Sequence, residues 1–205
     1  MRRKYRVVVP LVVCALAGGA VVLGALHGGV VLAAVEIGQA VPGFELPDVN
    51  GKTRKLADFE GKIVVLEFCS IECPFSRGAD PHLSALAQRY APQGVVVIGI
   101  DSHKSTTPEQ IRKYAREKGK TYPILKDAGN AYADVLGAKV TPEVFVLGKD
   151  GKLAYHGAFD DRKAPEEKGE TPYVENAVKA LLEGRPVEPA TVKAWGCGIK
   201  RVEKP

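Results

Sequence analysis

Apolar residues follow two rhythms along this chain, unbroken runs and helix-spaced stripes, and together they predict most of its elements. Ile63 to Phe68, broken only by Glu67, and Val95 to Ile100 are continuous and rich in β-branched residues, as in strands buried on both faces of a sheet. Tyr122 to Leu125 and Val144 to Leu147 are shorter runs of the same kind. Gly148-Lys149-Asp150-Gly151 carries an Asp-Gly turn and leads into Leu153 to His156, which predicts a hairpin. Near the start, Phe44 and Leu46 alternate with polar neighbours. Asn50-Gly51 then marks a turn and Thr53 to Leu56 returns, forming an N-terminal β-hairpin.

The helical stripes are equally local. Leu83, Leu86 and Ala87 share one face of a helix from about Pro74 to Tyr90, in which Asp80-Pro81 predicts a kink or a restart. Thr107-Pro108-Glu109-Gln110 combines an N-cap, a first-turn proline and the Gln of a capping box, and it opens a helix through about Lys118. Asn130 to Leu136 reads as a short helix ended by Gly137. After Thr171-Pro172, the positions Val174, Ala177, Val178, Leu181 and Leu182 predict a last helix, stopped by Gly184 and Pro186. The order β-β-β-α-β-α-β-α-β-β-α describes an α/β layer fold.

One apolar stretch belongs to neither rhythm. Arg2, Arg3, Lys4 and Arg6 precede Val7 to Val35, whose strongly polar member is His27, and this is the pattern of an export signal with its basic end held in the cytoplasm. The stretch exceeds an ordinary signal core and is long enough to span a bilayer. Residues 1–35 are thus expected to be a signal peptide or membrane anchor, 36–185 a folded domain, and 186–205 a C-terminal tail. The domain is expected outside the cytoplasm, periplasmic or at the cell surface, anchored or secreted.

The leader also accounts for the charge. The formal net charge is +5, but setting aside its four basic residues leaves 25 basic against 24 acidic. A body so nearly neutral has no electrostatic footprint for nucleic acid.

Outside the leader stand Cys69, Cys73 and Cys197, in a compartment where disulfides persist. Pro74 suits the first turn of a helix, which makes Cys73 its N-cap. There a thiol meets unpaired backbone N–H groups and the positive end of the helix dipole, both favouring thiolate. Glu67 and Glu72 flank the junction as proton acceptors or, more commonly, solvent-facing anions, and Arg77 lies about one turn along. His82, His103 and His156 read as surface or turn residues. No metal site and no cofactor are called for.

A wider set of positions resembles the thioredoxin superfamily, in its redoxin branch of peroxiredoxin-like and membrane-anchored thiol-disulfide proteins. They are Gly38, Pro42, Phe44, Leu46, Gly51-Lys52, Leu56, Phe59, Gly61-Lys62, the cysteine junction, and Thr141-Pro142 before Val144-Phe145-Val146-Leu147. The resemblance implies a thioredoxin-like fold, with a central mixed sheet flanked by helices and an N-terminal β-hairpin. It also implies a cis Pro142 lying against the reactive cysteine. Gly196-Cys197-Gly198-Ile199-Lys200 resembles the ending of a subgroup whose junction reads F-x-C-x-x-C-P.

Departures from these patterns shape the expected chemistry. Ser70 occupies the place of the first cysteine in a C-x-x-C, so the available partner of Cys73 is Cys69. The site is then Cys73, Cys69 and Pro142, with Cys197 as a substitute or relay thiol on a tail free to fold back. The expected function is exchange of a Cys69/Cys73 dithiol-disulfide with protein thiols or disulfides, or with a thiol reductant. A peroxiredoxin-like peroxidase using Cys73 is the alternative, with peroxide as substrate. It lacks the usual proline, replaced here by Leu66, and the usual arginine near Pro142. A Sco-like copper(I) protein shares the C-x-x-x-C-P spacing but needs a histidine near Thr141, and none is there.

Overall fold

The structure, a computed structural model, describes residues 35–204, so residues 1–34 of the proposed leader lie outside the described residues. At the centre is β3 (Ile63–Cys69), every residue of which is buried, as its unbroken apolar run requires. It pairs in parallel with β4 (Val95–Asp101) and antiparallel with β7 (Glu143–Leu147), which makes the sheet mixed. β5 (Ile124–Lys126) lies outside β4, and β8 (Leu153–Gly157) outside β7, giving the order β5-β4-β3-β7-β8. The N-terminal hairpin is β1 (Glu45–Pro47) with β2 (Thr53–Lys55). This is the thioredoxin-like architecture expected from the sequence.

Alternation along β3 sends Ile63 and Val65 to one face and Val64, Leu66 and Phe68 to the other. The first face is covered by α1 (Pro74–Tyr90), through Ala79, Leu83, Leu86 and Tyr90, and by α4 (Tyr173–Leu182), through Val174, Ala177 and Val178. The second packs on Tyr132, Ala133 and Leu136 of α3 (Ala131–Leu136). α2 (Pro108–Glu117) begins with the expected capping box, Gln110 N–H donating to Thr107 Oγ1 at 3.3 Å and Thr107 N–H to Gln110 Oε1 at 2.8 Å. α1 runs through Pro81 without the expected restart. Apolar residues on both sides of the proline are anchored to the sheet, and that packing outweighs the hydrogen bond proline cannot donate.

The larger departure is the C-terminal segment, which is bound rather than free. Its β9 (Cys197–Gly198) pairs antiparallel with β6 (Val140–Thr141), and Ile199 is buried in the same cluster as Phe68 and Leu125. Ile199 N–H donates to Lys139 O and Lys104 N–H to Lys200 O, each at 2.9 Å. Further out, Arg201 pairs with Asp134 and with the Ala138 carbonyl. Among the described residues no helix is long and apolar enough to cross a membrane.

Burial of Ile199 leads to a stability test. Ile199→Ala should lower the unfolding free energy by about 2 kcal/mol, the lower end of the range for large-to-small core changes because the site lies near the rim. Urea unfolding of the purified protein measures it, and an unchanged midpoint would mean the tail contributes no core.

Candidate active site

Cys73 is the N-cap of α1 and is 1% exposed. Its extended backbone conformation and the proline after it start the helix there, leaving first-turn N–H groups without intrahelical acceptors. The sulfur supplies one acceptor, since Ser76 N–H donates to Sγ at 3.4 Å. The thiol in turn donates to the Thr141 carbonyl at 2.9 Å. That carbonyl belongs to the Thr141–Pro142 peptide, which is cis.

Cys197 arrives at the same place from the tail. In the β6–β9 ladder it stands opposite Thr141, whose Oγ1 donates to the Cys197 carbonyl at 3.4 Å. Both cysteines thus meet at Thr141, whose carbonyl accepts the Cys73 thiol and which faces Cys197 in the ladder. Burial and then the neighbouring Cys73 push the Cys197 thiol up to about 11. Gly196 makes the approach possible. Its φ is 142°, and a Cβ there would stand 2.1 Å from the Thr141 carbonyl oxygen and 3.3 Å from Pro142 Cδ. Trp195 closes the other side, its ring edge-on to Phe75 at 5.1 Å and its Nε1–H donating to Asp160 O at 3.1 Å.

Cys69 is directed elsewhere. It ends β3 opposite Asp101, buried with Val49, Ile111 and Ile124. Its Sγ lies so close over the backbone of Gly99 that a Cβ at that position would be 3.2 Å away. Burial, and next the charge of Glu67, push its thiol well above the ordinary value. The structure therefore brings Cys73, Pro142 and Cys197 together and sets Cys69 in an apolar cluster.

Beneath the helix start is a buried polar network. Glu67 is fully buried, receiving Ser76 Oγ–H at 3.3 Å and Tyr122 O–H at 3.2 Å. Ser70 N–H donates to Ser76 Oγ at 3.2 Å, so Ser76 holds the Ser70 backbone, the Cys73 sulfur and Glu67 in one arrangement. Alongside, Lys120 Nζ pairs with Asp80 at 2.5 Å, and Tyr114 O–H donates to Asp80 at 2.8 Å. Burial raises Glu67 to about 7, and the Lys120 charge limits that rise. A solvent-facing Glu67 was the commoner expectation. Its place inside an apolar run, with Leu66 before it and Phe68 after, was the available signal for burial.

The remaining polar candidates serve the tail. Glu72 is held below its usual range by Lys200, whose Nζ lies at 2.6 Å, and by Ser105 Oγ–H at 2.8 Å. His103, expected at the surface, is buried and accepts Lys200 N–H at Nδ1 at 3.4 Å. His156 meets Glu143 Oε1 at 2.7 Å, and His82 sits beside the Phe159 ring. Among the described residues no group of three or more His, Cys, Asp or Glu side chains is arranged to hold a metal ion.

Comparison with known proteins identifies the family and the fold. Residues 37–156 match the model of the AhpC/TSA family. A curated relative, the thiol-disulfide oxidoreductase ResA of Bacillus thuringiensis subsp. konkukian, is 28% identical over 152 residues, covering 74% of this chain and 85% of that one. A hypothetical protein of Sinorhizobium meliloti superposes with a TM-score of 0.78 at 32% identity, over 84% of this chain and 98% of that one. An uncharacterized conserved protein of Geobacillus kaustophilus gives 0.78 at 31%, over 83% and 94%. A putative thiol:disulfide interchange protein DsbE of Chlorobium tepidum, at 22% identity and a TM-score of 0.63 over 73% of this chain and 99% of that one, shares the fold.

Glu67 yields a pH prediction. Its folded value, about 7, lies above the ordinary 4.5, so between them the fold retains a proton that the unfolded chain has released. Its contribution to stability is complete below the lower value and is lost as pH rises through the upper one, to the extent of about 3 kcal/mol. Wild-type stability minus that of Glu67→Gln should fall by this order between about pH 5 and pH 8. A pH-independent difference in urea unfolding would show that Glu67 keeps one charge state throughout.

Proposed function

Because the chain belongs to the AhpC/TSA family, we propose that it is a thiol-disulfide oxidoreductase whose exchanging sulfurs are Cys73 and Cys197. The observation carrying this reading is the meeting of the two cysteines at Thr141 beside the start of α1: Cys73 donates to the Thr141 carbonyl, and Cys197 stands opposite Thr141 in the β6–β9 ladder. Exchange needs an attacking thiolate, an accessible sulfur and a second thiol that resolves the mixed disulfide. Two cysteines that flank Thr141 meet the last need without rearrangement of the sheet. Cys197 therefore takes the place that spacing alone gave to Cys69, which is buried with Val49, Ile111 and Ile124 and has its sulfur over Gly99. Pro142 contributes by packing: its ring and the Thr141 carbonyl form the surface on which Gly196 and Cys197 rest.

The same reading assigns protein thiols and disulfides, or a small thiol reductant, as partners. It also assigns a working place outside the cytoplasm, with residues 1–35 as the export signal or membrane attachment. The support is the basic-then-apolar pattern of those residues and the persistence of disulfides in oxidising compartments.

Three substitutions test it on a fluorogenic disulfide reporter. Cys73→Ser and Cys197→Ser should each reduce turnover to background. Cys69→Ser should leave the rate within about three-fold of wild type, since no reacting atom is lost. Loss of turnover in a folded Cys69→Ser protein, with Cys197→Ser active, would return Cys69 to the pair.

A further inference from the structure

Resting on the Cys73–Cys197 pair, we propose that the sulfur a partner protein meets is Cys197, so that the mixed disulfide forms on the tail cysteine and Cys73 reacts only within the chain. The two sulfurs differ sharply in access. Cys73 is 1% exposed, enclosed by Ser76, the Thr141 carbonyl and Cys197 itself. Cys197 is only partly buried. The residues beside it, Gly196 in sequence and Phe75 in space, line an open groove of about 580 Å³ together with Trp195, Tyr173 and Arg162. A partner segment seated in that groove lies against Gly196, next to the more exposed of the two cysteines. Cys73 is almost wholly buried, its sulfur engaged by the Thr141 carbonyl and the Ser76 N–H.

The chemistry divides in the same way. Disulfide exchange is an in-line displacement, in which the sulfur attacked and the sulfur expelled are different atoms and rate depends on which is accessible. Starting from the Cys73–Cys197 disulfide, a partner thiolate attacks Cys197 Sγ and forms the intermolecular bond. The Cys73–Cys197 bond breaks, and its electron pair leaves with Cys73 Sγ, where the Ser76 N–H is positioned to bond a thiolate. A second partner thiolate then attacks the partner's own sulfur in the mixed disulfide. Cys197 is expelled as the leaving thiolate. The partner dithiol has become a disulfide, the protein disulfide has become two thiols, and two protons pass from the partner's thiols to Cys73 and Cys197. With a partner disulfide the same mixed disulfide is traversed in reverse.

The test uses the whole chain, oxidised and then mixed with reduced glutathione, with acid quenching at successive times and mass spectrometry of the digested peptides. Glutathione is expected on the peptide carrying Cys197, in roughly ten-fold or greater excess over the Cys73 peptide. A predominance on Cys73, or equal amounts, would overturn the assignment while leaving the exchanging pair intact. If the oxidised protein contains no Cys73–Cys197 disulfide at all, the pair itself fails and this assignment with it. A second measurement does not depend on the wild-type intermediate: with oxidised glutathione, Cys73→Ser should form the mixed disulfide roughly ten-fold faster than Cys197→Ser, because access to the sulfur outweighs its raised titration. The opposite order, or equal rates, counts against Cys197.

Discussion

The start of α1 leaves backbone N–H groups that need acceptors, and here the sulfur of Cys73 accepts one of them. A helix N-terminus is an anion site by construction, because its unpaired donors and its dipole act together. Sulfur alone among side-chain atoms joins the acceptance of such a donor to exchange chemistry. The rest of the molecule can be understood as holding that helix start still. β3 delivers the chain to it, the cis peptide before β7 presents a carbonyl to it, and the C-terminal segment brings the second sulfur. Each contribution comes from a different part of the sequence, with 68 residues separating Cys73 from Thr141 and 56 separating Thr141 from Cys197.

That separation explains what the sequence revealed and what it hid. α1 begins at Pro74 because a cysteine and a proline stand together, and α2 because Thr107 to Gln110 is a capping box. Both are signals a few residues long, and both give the observed starts. The hairpins at Asn50-Gly51 and Asp150-Gly151 are of the same kind. The partner of Cys73 was a different problem. Closeness in sequence favours Cys69, whose sulfur lies over Gly99, while the proposed partner, Cys197, reaches the site through a pairing that spacing does not announce. The tail held no periodic pattern to mark it as structure. It is fixed by a two-residue ladder, a glycine that permits close approach, and one isoleucine in the core, none of which has a local signature.

The buried carboxylates show a second limit. Glu67 and Asp80 are among the residues least often found inside proteins, and their burial is tolerated because each is held by hydroxyl donors, with Lys120 placed beside them. Lys120 and Tyr122 come from the loop before β5, far along the chain from β3, so neither could be paired with Glu67 on spacing. The same network fixes Ser76, and Ser76 fixes the backbone on both sides of the helix start. Rigidity at the sulfur is thus provided by polar contacts under it as well as by apolar packing around it.

Trp195 is the sole tryptophan of the chain. It stands two residues from Cys197, packed on Phe75 and hydrogen-bonded to Asp160, at the point where the tail meets the helix. In the exchange proposed above, an indole so close to the sulfur pair would sense its oxidation state, because a disulfide is an efficient quencher of excited tryptophan and a thiol a weaker one. Near-ultraviolet emission would then follow the bond between the two cysteines with no label added.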